Sequence, residues 1–78
     1  MINELKDIIY FHRKQAGLSR RELAMYADVS ETVIYYLEKG KMTLQFDTIL
    51  AILKALNISI NFSSPLMTHY EESKSTDA

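Results

Sequence analysis

Residues 17–41 read GLSRRELAMYADVSETVIYYLEKGK, and the fold turns on how this stretch is divided. Gly17 closes whatever precedes it, because a glycine tolerates the left-handed backbone that ends a helix. Ser19 and Glu22 then stand in the S-x-x-E spacing of a capping box, in which each side chain satisfies the other residue's backbone N–H. A short helix follows, with Leu23 and Ala24 facing inward. It is interrupted at Asp28, a residue that accepts the left-handed conformation better than most. Ser30 caps a second short helix, in which Ile34 and Leu37 form the i, i+3 core face and Val33 packs toward the first. Gly40 ends it.

Working outward, Asn3 is expected to cap a first helix, with Glu4 and Asp7 in its positive first turn and Leu5, Ile8, Ile9, His12 and Ala16 near a 3.6 period. After Lys41 and a short loop, LQFDTILAILKALN carries Phe46, Ile49, Leu50, Leu53 and Leu56 as an apolar stripe, the mark of a buried helix. ISINF, residues 58–62, switches to a period of two and reads as one strand. A lone strand has unpaired edges, so Ile58, Ile60 and Phe62 are expected to pair with the same strand of a second copy. The stretch 63–78 has no period and is expected to be a flexible acidic tail. The organisation is therefore 1–57, a helical domain; 58–62, a dimerisation strand; and 63–78, the tail.

Composition limits what such a chain does. It has 78 residues, 47% of them hydrophobic, and no cysteine, so it is one small domain without disulfides or thiolate metal ligands. Its isolated His12 and His69 make no metal site, no catalytic constellation is present, and no cofactor is expected. His12 is expected to be a packed, hydrogen-bonded residue of the first helix. No apolar run is long enough to span a membrane and no secretory signal pattern opens the chain, so a cytoplasmic location is expected. The net charge of −1 hides an asymmetry: up to Phe62 there are eight cations against seven anions, whereas the remainder has Lys74 against Glu71, Glu72 and Asp77. Six of those eight cations lie between Arg13 and Lys41.

Two short helices joined by a tight turn, the second capped and polar on its outer face, form a helix-turn-helix. Gly17, Leu18, Ser19, Glu22, Leu23, Ala24, Ala27, Val29, Ser30, Ile34, Leu37, Glu38 and Gly40 match, in register, the pattern of the lambda Cro and phage 434 repressor family, the XRE family. With its flanks the resemblance runs from Leu5 to Leu56. It implies an all-α, lambda-repressor-like bundle of four to five short helices, here with one C-terminal β-strand forming an intermolecular ribbon in the dimer. It also implies a transcriptional repressor bound to double-stranded operator DNA. Two departures from the pattern matter: Arg20 stands where the family has Gln, and Asp28 where it has Gly.

The resemblance assigns roles residue by residue. Arg13 is implied to pair with Glu38, with direct DNA contact as its alternative. Tyr36 stands where relatives carry a polar side chain toward DNA. Glu31, Thr32, Tyr35 and Tyr36 are therefore the expected base contacts: a glutamate accepts from cytosine N4, and a threonine methyl packs on a thymine methyl. Ser19, Arg20, Arg21, Ser30, Lys39, Lys41 and Thr43 are the expected phosphate contacts, the two serines acting first as caps. A fourth helix running directly into a strand is similar to HipB-type antitoxins, which implies an autoregulating antitoxin with a HipA-like kinase toxin as partner, associated with the bacterial nucleoid. A stand-alone phage-type repressor and a protein-binding adaptor that has lost DNA binding are the alternatives.

Overall fold

The computed structural model of the chain describes residues 2–41 and 44–76. Among the described residues five helices follow one another: α1, Ile2–Gln15; α2, Arg20–Ala27; α3, Glu31–Glu38; α4, Phe46–Ala55; and α5, Met67–Thr76. The fold is an all-helical bundle of the lambda-repressor type.

The first four helices stop in the same way. Gly17, Asp28, Gly40 and Asn57 all adopt positive φ, at 71°, 57°, 86° and 59°. Each is followed by a 6→1 hydrogen bond and itself makes a 5→2 bond, the Schellman arrangement that satisfies carbonyls left open at a helix end. At Asp28, for example, Val29 N donates to Ala24 O at 3.0 Å and Asp28 N to Met25 O at 3.3 Å. Gly40 is the most demanding of the four, since a Cβ there would sit 3.3 Å from Lys6 Cδ. Asp28 thus closes α2 in the conformation a glycine would adopt, and the turn to α3 keeps its geometry without one.

Ile9, Leu23, Ala24, Ala27, Ile34, Leu37, Ile49, Ile52 and Leu53 form the buried core. α2 packs on both α3 and α4, and α1 on α3. Leu5, Val29, Val33, Leu44, Leu56 and Ile58 close its edges. Two details differ from the sequence expectation. Asn3 lies inside α1 rather than capping it, because the helix already begins at Ile2. On α4 the buried face is Ile49, Ile52 and Leu53, while Phe46 is 62% exposed and Leu50 39%. The helix is apolar on more than one side, so packing against α2 decides which side is covered.

Beyond Ile58 the chain leaves the core. The radius of gyration, 15.4 Å, exceeds the about 11.5 Å of a compact chain of this length, because the segment after Ile58 adds surface but no core residue. Residues 58–64 carry no regular secondary structure, so the strand expected over 58–62 is absent from the single chain. A ribbon needs a second chain to complete it. The stretch read as an aperiodic tail contains α5, with Ser64 Oγ accepting from Leu66 N at 3.3 Å just before its start. From Thr68 to Lys74 its residues are exposed, so the helix has no buried face to write a period into the sequence.

Candidate nucleic-acid interface

α3 is positioned from below by two side chains with no exposure, Ile34 and Leu37, and from its start by Ser30, whose Oγ accepts from Val33 N at 3.2 Å. With that face buried, Glu31, Thr32, Tyr35 and Tyr36 are left on the outside. Together with Arg20 of α2 they line one open depression. α2 is placed by its own capping box: Ser19 Oγ accepts from Glu22 N at 3.0 Å, and Glu22 Oε1 accepts from Ser19 N at 2.9 Å. The Ser19 backbone N–H, followed by the Ser19 hydroxyl, holds the Glu22 carboxyl below its ordinary pKa of 4.5.

One end of α3 is tied to the rest of the domain by charge. Arg13 is 6% exposed. Its Nε donates to Glu38 Oε2 at 2.6 Å, its Nη2 to Glu38 Oε1 at 3.0 Å, and its Nη1 to the Leu18 carbonyl at 2.9 Å. One guanidinium therefore joins α1, the loop before α2 and the end of α3. Two parallel N–H···O bonds to one carboxylate fix direction as well as distance. Arg20 adds a third donor, its Nε lying 3.1 Å from Glu38 Oε1. The Glu38 side chain is 2% exposed, so a nearly buried carboxylate is shared between two arginines. These bonds raise the Arg13 pKa above its ordinary value against the opposing effect of burial, and the guanidinium stays charged. Tyr10 lies one helical turn before Arg13, and its ring centroid is 5.4 Å from Arg13 Cζ. The sequence reading had not singled Tyr10 out, although i, i+3 spacing on a helix carries that signal.

The outer face of α3 is ringed by cations. Arg20 Cζ and Lys39 Nζ stand 5.3 Å and 5.4 Å from the Tyr35 ring centroid, and Lys41 Nζ 4.7 Å from that of Tyr36. The two rings meet edge to face, with centroids 5.6 Å apart. Tyr35 is 43% exposed and Tyr36 40%, so each ring serves as a platform for its cations and still offers surface outward. Each such contact is worth about 0.5–1 kcal/mol at an exposed site. Their main effect is to keep the long cationic side chains along the rim of the helix.

The expected site residues therefore fall into groups. Glu31, Thr32, Tyr35 and Tyr36 share the depression; Lys39 and Lys41 border it; Ser19 and Ser30 cap the two helices. Arg21 is exposed on α2. Arg20, an expected phosphate contact, also donates to Glu38 and lines the depression. Thr43 lies outside the described residues. His12 is half-buried in α1, its Nδ1–H donating to the Ile8 carbonyl at 2.7 Å. Among the described residues no three metal-ligating side chains gather, and no helix is long and apolar enough to cross a membrane.

A comparison with curated proteins finds no match. A family model described as helix-turn-helix, of the XRE type, matches residues 9–62, which span α1 from its buried Ile9, the two helices around the turn, α4 and the segment after it. The chain therefore belongs to the XRE-type helix-turn-helix family of DNA-binding transcription regulators.

Proposed function

We propose that the chain is a sequence-specific repressor that lays α3 in the major groove of an operator. The observation that carries this is the division of α3 into a face with no exposure, Ile34 and Leu37, and an outer face of Glu31, Thr32, Tyr35 and Tyr36 bordered by Lys39 and Lys41. Glu31 faces the bases: among the described residues it has no ion-pair partner, and a carboxylate turned toward phosphate would be repelled. Lys39, Lys41 and Arg21 contact phosphates, as do the backbone amides at the starts of α2 and α3. A gel shift on the DNA upstream of the protein's own gene tests the reading. A discrete complex that weakens steeply with salt supports it, and equal binding to unrelated duplexes counts against it.

The repressor acts as a homodimer on an inverted repeat, with half-sites roughly 34 Å apart. Support comes from Ile60 and Phe62, 40% and 75% exposed, which alternate with Ser59 and Asn61 in a segment that makes no ladder among the described residues. Paired across a two-fold axis, these residues would gain the ladder and the cover that one chain does not supply. Light scattering that gives a monomer, or a dimer untouched by Ile60→Lys, argues against this. The finer role is that of an antitoxin for a HipA-like kinase, supported by the passage of α4 directly into this segment. Co-purification with the product of an adjacent gene supports the antitoxin role, and its absence leaves the stand-alone repressor.

A further inference from the structure

Arg20 is in contact with two neighbours on the same face of the domain. Its Nε is committed to Glu38 Oε1 at 3.1 Å, and its guanidinium lies over the Tyr35 ring, Cζ 5.3 Å from the centroid. The hydrogen bond engages the Nε edge of the guanidinium, and the ring lies beside it. The Glu38 side chain is itself nearly buried, 2% exposed, and accepts two hydrogen bonds from Arg13. A fixed guanidinium presents two parallel donors at a set spacing, which suits a guanine edge and a phosphate alike, so the neighbours of Arg20 decide between them. With Nε turned to Glu38, the edge left to present is the Nη1–Nη2 pair, whose parallel N–H groups match the O6 and N7 acceptors of guanine.

The surroundings specify more. Arg20 and Glu31 line the same depression, with Thr32, Tyr35 and Tyr36 as its other lining residues. A donor pair and an acceptor within one depression are complementary to the major-groove edge of a G·C pair, which sets O6 and N7 of guanine beside the N4 amino group of cytosine. The tyrosine and threonine walls suit the neighbouring C5 edge of a pyrimidine.

Resting on the proposal that α3 enters the major groove, we propose that Arg20 is a specificity-determining residue. On this proposal Arg20 donates to guanine while Glu31 accepts from cytosine, so that together they specify one G·C pair in each half-site. The Glu38 carboxylate and the Tyr35 ring act as positioning groups for it.

The test begins with a duplex enriched by the wild-type protein from a random pool. Fluorescence anisotropy then compares all four base pairs at each position of that duplex, at several salt concentrations, for wild type, Arg20→Lys, Arg20→Ala and Tyr35→Leu. Circular dichroism checks that each variant is folded. Arg20→Lys keeps the charge and loses the flat donor pair. It is expected to reduce a roughly ten- to hundredfold preference for G·C at one position to about twofold, with the salt slope unchanged. Tyr35→Leu is expected to relax the same position with Arg20 intact. An unchanged base profile in Arg20→Lys overturns the proposal. So does a uniform weakening in Arg20→Ala across all sequences with the salt slope reduced by about one, the signature of a phosphate contact. A wild-type protein that enriches no sequence overturns the groove-binding reading itself, whereas an enriched site with an unaltered profile overturns only the role of Arg20.

Discussion

Removing the Glu38 carboxylate should do more damage than any other single polar change in the domain. Glu38 accepts three charge-assisted hydrogen bonds, two from Arg13 and one from Arg20. In Glu38→Ala, Arg13 stays 6% exposed by position and, among the described residues, keeps the Leu18 carbonyl, at 2.9 Å, as its one hydrogen-bond partner, with no counter-charge. Stranding a buried charge in this way costs about 3–5 kcal/mol. A domain of this length is stable by about 4–12 kcal/mol in all, so the loss is a large fraction of the whole. At about 4–8 °C per kcal/mol for a domain of this size, the midpoint of thermal unfolding should fall by at least about 12 °C. Arg20→Ala removes the outer arginine, whose side chain is 36% exposed. Solvent screens that pair, and the loss should stay within about 1 kcal/mol. Thermal and urea unfolding followed by circular dichroism measures both. The double substitution Arg13→Met with Glu38→Leu exchanges the inner pair for apolar volume and should recover most of the loss, because two apolar groups leave no charge stranded. A Glu38→Ala protein destabilised by less than about 1 kcal/mol would refute the reasoning, since Arg13 would then have found another partner or reached water.

Further predictions follow from other local features. Ile52 has no exposure whereas Phe46 is 62% exposed, so Ile52→Ala should cost about 2–5 kcal/mol and Phe46→Ala within about 0.5 in the same unfolding assay. Gly40→Ala should destabilise by about 1–2 kcal/mol, since φ is +86° and the added Cβ would press on Lys6 Cδ. Asp28→Gly, at φ 57°, should leave stability unchanged or raise it by up to about 1 kcal/mol. The capping box gives a pH signature. Folding lowers the Glu22 pKa, so its contribution is fully present above the ordinary value of 4.5 and is lost as pH falls through the lower folded value. Glu22→Gln should therefore flatten that part of the acid-unfolding curve, and Ser19→Ala should cost about 1 kcal/mol at neutral pH.

What the sequence made legible was local. The boundaries of α2 and α3 are written in Ser19, Glu22, Asp28, Ser30 and Gly40, each acting within four residues of its own position, and those elements form where the reading put them. α4 was legible as a helix but not in its orientation: FDTILAILKA is apolar on several sides, and only contact with α2 selects Ile52 over Phe46 and Leu50 for burial. α5 escaped because a helix with exposed side chains leaves no periodic trace. In the interface, the outward set of Glu31, Thr32, Tyr35 and Tyr36 could be obtained by subtracting the anchors Ile34 and Leu37. The linkage of Arg20 to Glu38, across a separation of 18 residues, could not, because no local rule brings those two side chains together.

The central claim is that the outer face of α3 reads base edges. Selection of duplexes from a random-sequence pool, with wild type alongside a Glu31→Ala, Tyr36→Ala double variant, tests it most directly. Wild type is expected to enrich an inverted repeat with half-sites about 10–10.5 base pairs apart. The double variant is expected to remain folded and bound to DNA but to lose the wild-type preference. No enrichment by the folded wild-type protein, or the same motif enriched by both proteins, would contradict it.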